Sequence, residues 1–300
     1  MRMNSRVISK KARNRIIILE FLLPGLILLS VFVFYPIVKT IVMSFQNWHL
    51  TSSSKVHEFV GLKNYKDAFN ISHFGQMVWT TLVYTFFSIA GKMLVGLGVA
   101  LLFNKKFAGR SLARGIMLIP WAMPAVVVCN IAIIATDPDY GILCSLIKTI
   151  FGLKDLQIFS GTTSSLVAVI IVNIWKNFPF VSLMLLSALS TIPQDYYDAA
   201  SIDGAGVIMK FRKVTWPQIK PIWDTLLVLE VLWTIKEFEL VYIITKGGPN
   251  NATNVIGIDI YLNAFRYYKV GMACAEGVML LAVCVVFSVI YFRKLDKEEE

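Results

Sequence analysis

Cysteine and histidine are scarce in this chain, with four Cys and three His in 300 residues. Cys129, Cys274 and Cys284 fall within apolar blocks, and Cys144 stands alone in a connection. No CxxC and no Cys/His spacing of ligand type occurs, so neither a disulfide framework nor a metal site is expected. His49, His57 and His73 are isolated from one another by intervening sequence. Charge is also low: Asp, Glu, Lys and Arg make up 16% of residues, against about 25% in an ordinary soluble domain. Phosphate-binding and hydrolytic motifs are missing. The single Gly-Lys pair, Gly91-Lys92, is followed by Met93 rather than Ser or Thr and lies inside an apolar block, so it is no Walker A loop. There is neither a G-x-S-x-G elbow nor an H-E-x-x-H pair. Nothing in the chain suggests an enzyme or a resident cofactor.

What the chain has in quantity is apolar side chains, 56% of the total, with a mean hydropathy of +0.65. Disorder needs low hydrophobicity and is excluded. The length allows two soluble domains, but the apolar residues come in long blocks rather than spread over cores. A bilayer core needs about 20 apolar residues of helix to cross it. Six blocks reach that length, at Ile16–Phe45, Val78–Phe103, Leu112–Ala135, Leu166–Leu189, Trp223–Thr245 and Met272–Phe292. The expected fold is all-α and polytopic, with six transmembrane helices. The first block is long for one straight crossing, and Pro24 and Pro36 predict kinks in it. It is also too long for the h-region of a cleavable signal, and no A-x-A-like site follows.

Net charge is +10. Basic charge can serve nucleic acid, anionic lipid or membrane orientation; the blocks favour orientation, and no nucleic-acid partner is expected. With the N-terminus inside, seventeen Lys and Arg fall in the inner segments and eight in the outer ones. Both termini are therefore placed on the cytoplasmic side of the membrane. Residues 1–15 read as a basic cytoplasmic segment, 16–292 as the six-span membrane domain and 293–300 as a solvated cytoplasmic tail. A short interfacial helix is predicted near Gly141–Phe151, where Ile142, Leu143, Leu146 and Ile150 recur at helical spacing.

The connection between spans four and five, residues 190–221, carries the most local detail. Thr191 and Gln194 fit a capping box. Asp195 and Asp198 suit the positive end of a helix dipole. The helix is expected to stop near Asp203, with Gly204 supplying a left-handed turn. A second short helix would present Val207, Phe211 and Val214 on one face and end at Pro217 and Pro221. The product is a compact helix–turn–helix, kept low by Ala199, Ala200 and Ala205. On these features alone, docking of another protein and an amphipathic loop lying on the membrane are equally open.

Asp198-Ala199-Ala200-Ser201-Ile202-Asp203-Gly204-Ala205, followed by Val214, Trp216 and Pro217, resembles the EAA loop that marks membrane subunits of binding-protein-dependent ABC importers. Asp198 stands where the family pattern has Glu, Val214 where it has Ile and Trp216 where it has Leu. Phe59-Val60-Gly61-Leu62-Lys63-Asn64-Tyr65, Pro120-Trp121-Ala122-Met123-Pro124, Trp175 with Pro179-Phe180, and Thr245-Lys246-Gly247-Gly248-Pro249 are similar to the sugar-permease branch, of maltose-permease type. The resemblance covers most of the chain. It implies a carbohydrate permease subunit paired with a second, non-identical permease. It also implies two cytoplasmic ATPase subunits, which bind the ATP and Mg, and an extracytoplasmic sugar-binding protein. The coupling role of the EAA loop passes to Asp198, Ala199, Ala200, Asp203, Gly204 and Ala205.

Polar groups at membrane depth are costly and face protein or water. Asn173, Lys176, Asn177 and Phe180 fall on one helical face. Glu230, Trp233 and Glu237 form a second stripe, with Lys236 and Glu239 beside it. Hydrogen-bonding groups next to aromatic faces suit a sugar, so these nine residues are candidates to line the pathway. The other reading keeps Lys176 or Lys236 as structural partners of Glu230, Glu237 or Glu239, and the two are not exclusive. Lys39 and Lys92 read as snorkelling side chains. Buried carboxylates also fit an ion- or proton-coupled secondary transporter, which is the alternative function and leaves the helix–turn–helix unexplained.

Overall fold

The computed structural model describes residues 21–51, 57–152 and 157–299, with backbone alone for 294–299. The basic segment 1–15 and the start of the first apolar block lie outside the described residues. The chain divides into two compact units, Met1–Phe69 with Asn263–Met279, and Asn70–Leu262 with Leu280–Glu300.

The first unit's described residues begin with α1 (Phe21–Ser44), whose apolar stretch holds no buried residue among the described residues. A helix that is apolar all round is suited to lipid or to another membrane helix. Ahead of Pro36, where the sequence predicts a kink, the helix winds as a π turn over Ser30–Phe34, in which Tyr35 N–H reaches the Ser30 carbonyl. A proline lacks its N–H and its ring crowds the carbonyl four residues back, here Phe32, and the extra residue in the turn relieves both. A short antiparallel pair follows, β1 (Gln46–Asn47) with β2 (Glu58–Phe59), Gln46 lying opposite Phe59. Next comes α2 (Lys63–Phe69). Gly61 has φ +56°, and the turn it makes presents Asn64 and Tyr65. Asn64 Nδ2 donates to the carbonyls of Ser44 and Gln46 at 2.8 and 2.9 Å, and Tyr65 OH lies 2.6 Å from Ser44 Oγ. The sugar-permease-like segment Phe59–Tyr65 is thus a brace for the end of α1.

The second unit holds α3 (Phe74–Asn104), α4 (Arg110–Ala122), α5 (Ala125–Ala135), α6 (Ile142–Phe151), α7 (Thr162–Ser190), α8 (Gln194–Ile202), α9 (Val207–Lys210), α10 (Trp216–Thr234), α11 (Glu239–Thr245) and α12 (Ile256–Tyr261). The last helix, α13 (Val270–Glu299), enters it from Leu280 onward. Helices α3 and α7 pack along their lengths. Small residues make this possible, because membrane helices associate by close backbone approach rather than by a hydrophobic drive. A Cβ on Gly96 would lie 2.6 Å from Val181 Cγ1. Ala100 is fully buried, and Ser182 Oγ donates to the Gly96 carbonyl at 3.1 Å. Leu185, Ile219 and Leu226 extend this cluster, while Tyr84, Val128, Val169, Leu240 and Ile258 form a second.

Several sequence expectations change here. Among the described residues, four helices, α1, α3, α7 and α13, are each long and apolar enough to cross a membrane alone. The predicted third span is not straight: α4 and α5 meet at 97°. Met123 precedes Pro124 and is extended, with φ −74° and ψ 142°, as the steric demand of a following proline requires. The predicted fifth span is interrupted between Thr234 and Glu239. The second helix of the 190–221 connection does not end at its prolines either. It runs from α9 through a π turn over Phe211–Thr215 into α10, with Pro217 in the first turn of α10. Inside this continuous path Pro217 has no N–H to give to the preceding turn, and the π turn again sits just before the proline, where it makes room for the ring. The tail is helical to Glu299. The short helix near Gly141 forms as α6, with Ile142, Leu143, Leu146 and Ile150 exposed and Cys144 fully buried.

Candidate functional site

The first candidate element is the turn after α8. The capping box is absent: Pro193 is the N-cap, with no side-chain cap bond. Thr191 Oγ1 instead donates back to the Ala188 carbonyl at 2.8 Å, and Gln194 Nε2 donates to Asp198 Oδ1 at 3.1 Å. Pro193 offers no N–H to cap, and Thr191 still belongs to the last turn of α7, so the box has no room. The C-terminal end matches expectation. Gly204 has φ +76°. Ala205 N–H reaches the Ala200 carbonyl at 2.9 Å and Gly204 N–H reaches Ser201 at 3.1 Å. These two bonds are a Schellman cap, which needs a left-handed residue at the Gly204 position. Asp198, Ala199, Asp203 and Gly204 are exposed, and Ala200 and Ala205 are half-buried. Tyr197 OH lies 3.0 Å from Thr215 Oγ1, fastening α8 to the π turn. Apolar side chains crown the motif: Ile202, Val207 and Ile208 are 88, 86 and 77% exposed.

The second element lies at the α4–α5 corner. Trp121, Phe180 and Trp233 form a file of rings, with centroids 5.7 and 5.3 Å apart. Phe180 is half-buried, while Trp121 and Trp233 each keep more than a third of their surface open. Lys176 Nζ donates to the Met123 carbonyl at 3.2 Å, capping the break that Pro124 creates. Asn177 is half-buried and donates to the Asn173 carbonyl at 3.0 Å. Asn173 itself turns toward α3 and donates to Tyr84 OH at 2.8 Å, fully buried.

The second predicted stripe is divided. Glu230, Trp233 and Glu237 share a face only in an unbroken helix, and α10 ends at Thr234. Trp233 stays beside Phe180. Glu237 instead meets the start of α11, where its Oε1 accepts Leu240 N–H at 3.3 Å, a favourable place for a carboxylate. Lys236 and Glu239 are exposed. Glu230 is buried, and its ion-pair partner is Lys92, not Lys176 or Lys236. Lys92 therefore does not snorkel: it is 2% exposed and also donates to Thr234 Oγ1 at 2.7 Å. Lys39 is exposed, with its ammonium 6.0 Å from the Tyr35 ring. Sequence reasoning missed Lys92, Tyr84 and Trp121 as members of these clusters. The signal for Lys92 was a cation in the middle of an apolar block, which demands a partner.

A bundle of apolar helices broken at a proline corner, with a capped helix–turn–helix continuing into one of them, defines a membrane permease subunit. The family described as binding-protein-dependent transport system inner membrane component matches residues 92–294. The chain is 32% identical to the trehalose/maltose transport system permease protein MalF of Thermococcus litoralis, over 91% of each chain. It is 31% identical to the sulfoquinovosyl glycerol transport system permease protein SmoG of Agrobacterium fabrum, over 93% of this chain and 90% of that one. A chain of a bacterial ABC transporter involved in the import of the acidic polysaccharide alginate shares the fold. Its TM-score is 0.81 at 21% identity, over 96% of this chain and 98% of that one. The chain belongs to the family of binding-protein-dependent transport system inner membrane components. It is a permease subunit of an ABC importer, in which ATP hydrolysis is the work of partner subunits. A secondary transporter is not favoured.

Proposed function

We propose that this subunit imports a carbohydrate, an oligosaccharide in particular, as one of two non-identical permeases. Two cytoplasmic ATPases hold the ATP and Mg, and an extracytoplasmic sugar-binding protein delivers the substrate. The chain crosses the bacterial cytoplasmic membrane six times, the bent pair α4–α5 and the interrupted pair α10–α11 counting as one crossing each, with both termini in the cytoplasm. The observation that carries the substrate class is the open ring file Trp121–Phe180–Trp233 beside Asn177 and Lys176. Pyranose rings offer an apolar face for stacking and hydroxyls for hydrogen bonds, and this corner provides for both. The named sugar systems among the relatives support the same class.

The helix–turn–helix of α8 and α9 faces the ATPases. Asp198, Ala199, Ala200, Asp203, Gly204 and Ala205 form its contact surface, and the exposed Ile202, Val207 and Ile208 give it apolar area to bury. The test is purification of the intact complex, with identification of its subunits by mass and a screen of mono- and oligosaccharides for stimulation of ATPase activity. Stimulation by a sugar in the presence of the binding protein is the expected result. Stimulation by amino acids or inorganic ions alone would refute the substrate class.

A further inference from the structure

We infer that Lys92 is a positioning residue for transport, clamping the far end of a helical lever that starts at the coupling turn. The inference rests on the coupling reading of α8 and α9. The continuous helical path Val207–Thr234 begins directly after that turn. At a rise of about 1.5 Å per residue it reaches about 40 Å. Its last turn carries Glu230 and Thr234, four residues apart and hence on one face. Lys92, from the middle of α3, bonds both at once, pairing with the Glu230 carboxylate and donating to Thr234 Oγ1 at 2.7 Å. An ammonium at a helix C-terminus also meets the negative end of the helix dipole. All three side chains are at most 2% exposed.

A buried ion pair is poor value as a source of stability, since desolvation offsets most of the attraction. An apolar pair of equal volume would hold α3 to α10 as well. What the ion pair adds is a fixed register. The three-point contact allows one rotation and one height of α10 against α3, whereas apolar surfaces slide. The clamp lies one residue from Trp233, which touches Phe180, and just before the break at Ile235–Phe238. Motion entering at α8 is thereby delivered at the ring file with α3 moving as part of the lever, rather than lost as slippage between helices.

The test uses the assembled transporter, with Cys129, Cys144, Cys274 and Cys284 replaced. Lys236→Cys reports just beyond the clamp, and Ser201→Cys reports on α8; both parent positions are exposed. Maleimide labelling rates are compared in nucleotide-free and ATP–vanadate-trapped complexes. The clamp variants are Lys92→Met with Glu230→Leu, which strands no charge, and Thr234→Val, which removes only the hydroxyl. The Ser201→Cys reporter is expected to be shielded by the ATPases in every variant. The nucleotide-dependent contrast at Lys236→Cys should fall about threefold or more in the charge-free double variant, within the range for altered coupling networks. It should fall less in Thr234→Val and return in the reversed pair Lys92→Glu with Glu230→Lys. Undiminished contrast in the double variant and in Thr234→Val, with Ser201→Cys still shielded, overturns the clamp and leaves the coupling reading standing. Loss of assembly in both variants also overturns it, since the pair would then serve folding alone. Labelling of Ser201→Cys that ignores the ATPases refutes the coupling reading itself, and the lever with it.

Discussion

Substitution of Gly204 separates two demands on the coupling turn, backbone conformation and close approach. Gly204 sits at φ +76°, and a Cβ built there meets nothing within 4 Å. In the isolated subunit the whole effect of a side chain is therefore conformational. Holding an L-residue in the left-handed region costs about 1–2 kcal/mol, and Asn pays less because its short polar side chain tolerates that region. The Schellman bonds from Ala205 and Gly204 to Ala200 and Ser201 depend on that turn. Gly204→Ala should reduce the population of the docking-competent turn about 5–30-fold, the factor that corresponds to such an energy. Gly204→Asn should reduce it less, and Gly204→Val more than either. The assay is titration of the purified ATPase against permease reconstituted in nanodiscs, with sugar uptake followed in parallel. Subunit abundance controls for misfolding. Equal affinity for the Ala variant and the native subunit would refute the conformational argument. A larger loss for Asn than for Ala would refute it too, because bulk at a close interface would then outweigh strain.

Gly96→Leu should overpack the α3–α7 contact, since even a Cβ there would approach Val181 Cγ1 at 2.6 Å; overpacking costs about 1–3 kcal/mol, and thermal unfolding in detergent reads it as a lowered Tm. Trp233→Ala and Asn177→Ala should lower sugar uptake severalfold at matched complex levels, and full uptake in both would leave the ring file a packing feature only. Cys144 is fully buried, so an impermeant thiol reagent should leave it unmodified in the native subunit and modify it after denaturation. A cysteine at Gln194 should react only when the membrane is opened, and its reaction in sealed cells would refute the inward placement of α8.

The class of this protein was written in its sequence because the signals for it are local. Apolar blocks of bilayer length require no knowledge of what they touch. The Asp198–Ala205 pattern ends in a glycine whose left-handed turn follows from the absence of a Cβ, and the structure forms that turn. Family membership rests on the same continuous segments. Other local signals were legible but incomplete. Pro36 announced a kink, yet not the π turn that lies ahead of it. Pro217 announced a break, yet α9 and α10 continue, because a π turn just before the proline makes room for its ring. Thr191 and Gln194 had the spacing of a capping box, but the preceding helix retained Thr191.

Only the tertiary structure decided which partner each buried polar group took. Helical periodicity places Glu230 on a face and says nothing of what that face meets. Lys176 and Lys236 were nearer in the sequence, but Lys92 lies opposite Glu230 because Gly96 and Ala100 let α3 and α7 approach closely, and α10 packs beside them. The 97° corner at Pro124 was equally nonlocal in its consequence. Proline makes the break, but Lys176 on α7 satisfies the Met123 carbonyl there, and the bend sets Trp121 against Phe180. Apolar blocks are fixed by transfer from water to lipid, a property of each segment alone, whereas the pairing of buried charges and rings depends on which helices the packing brings face to face.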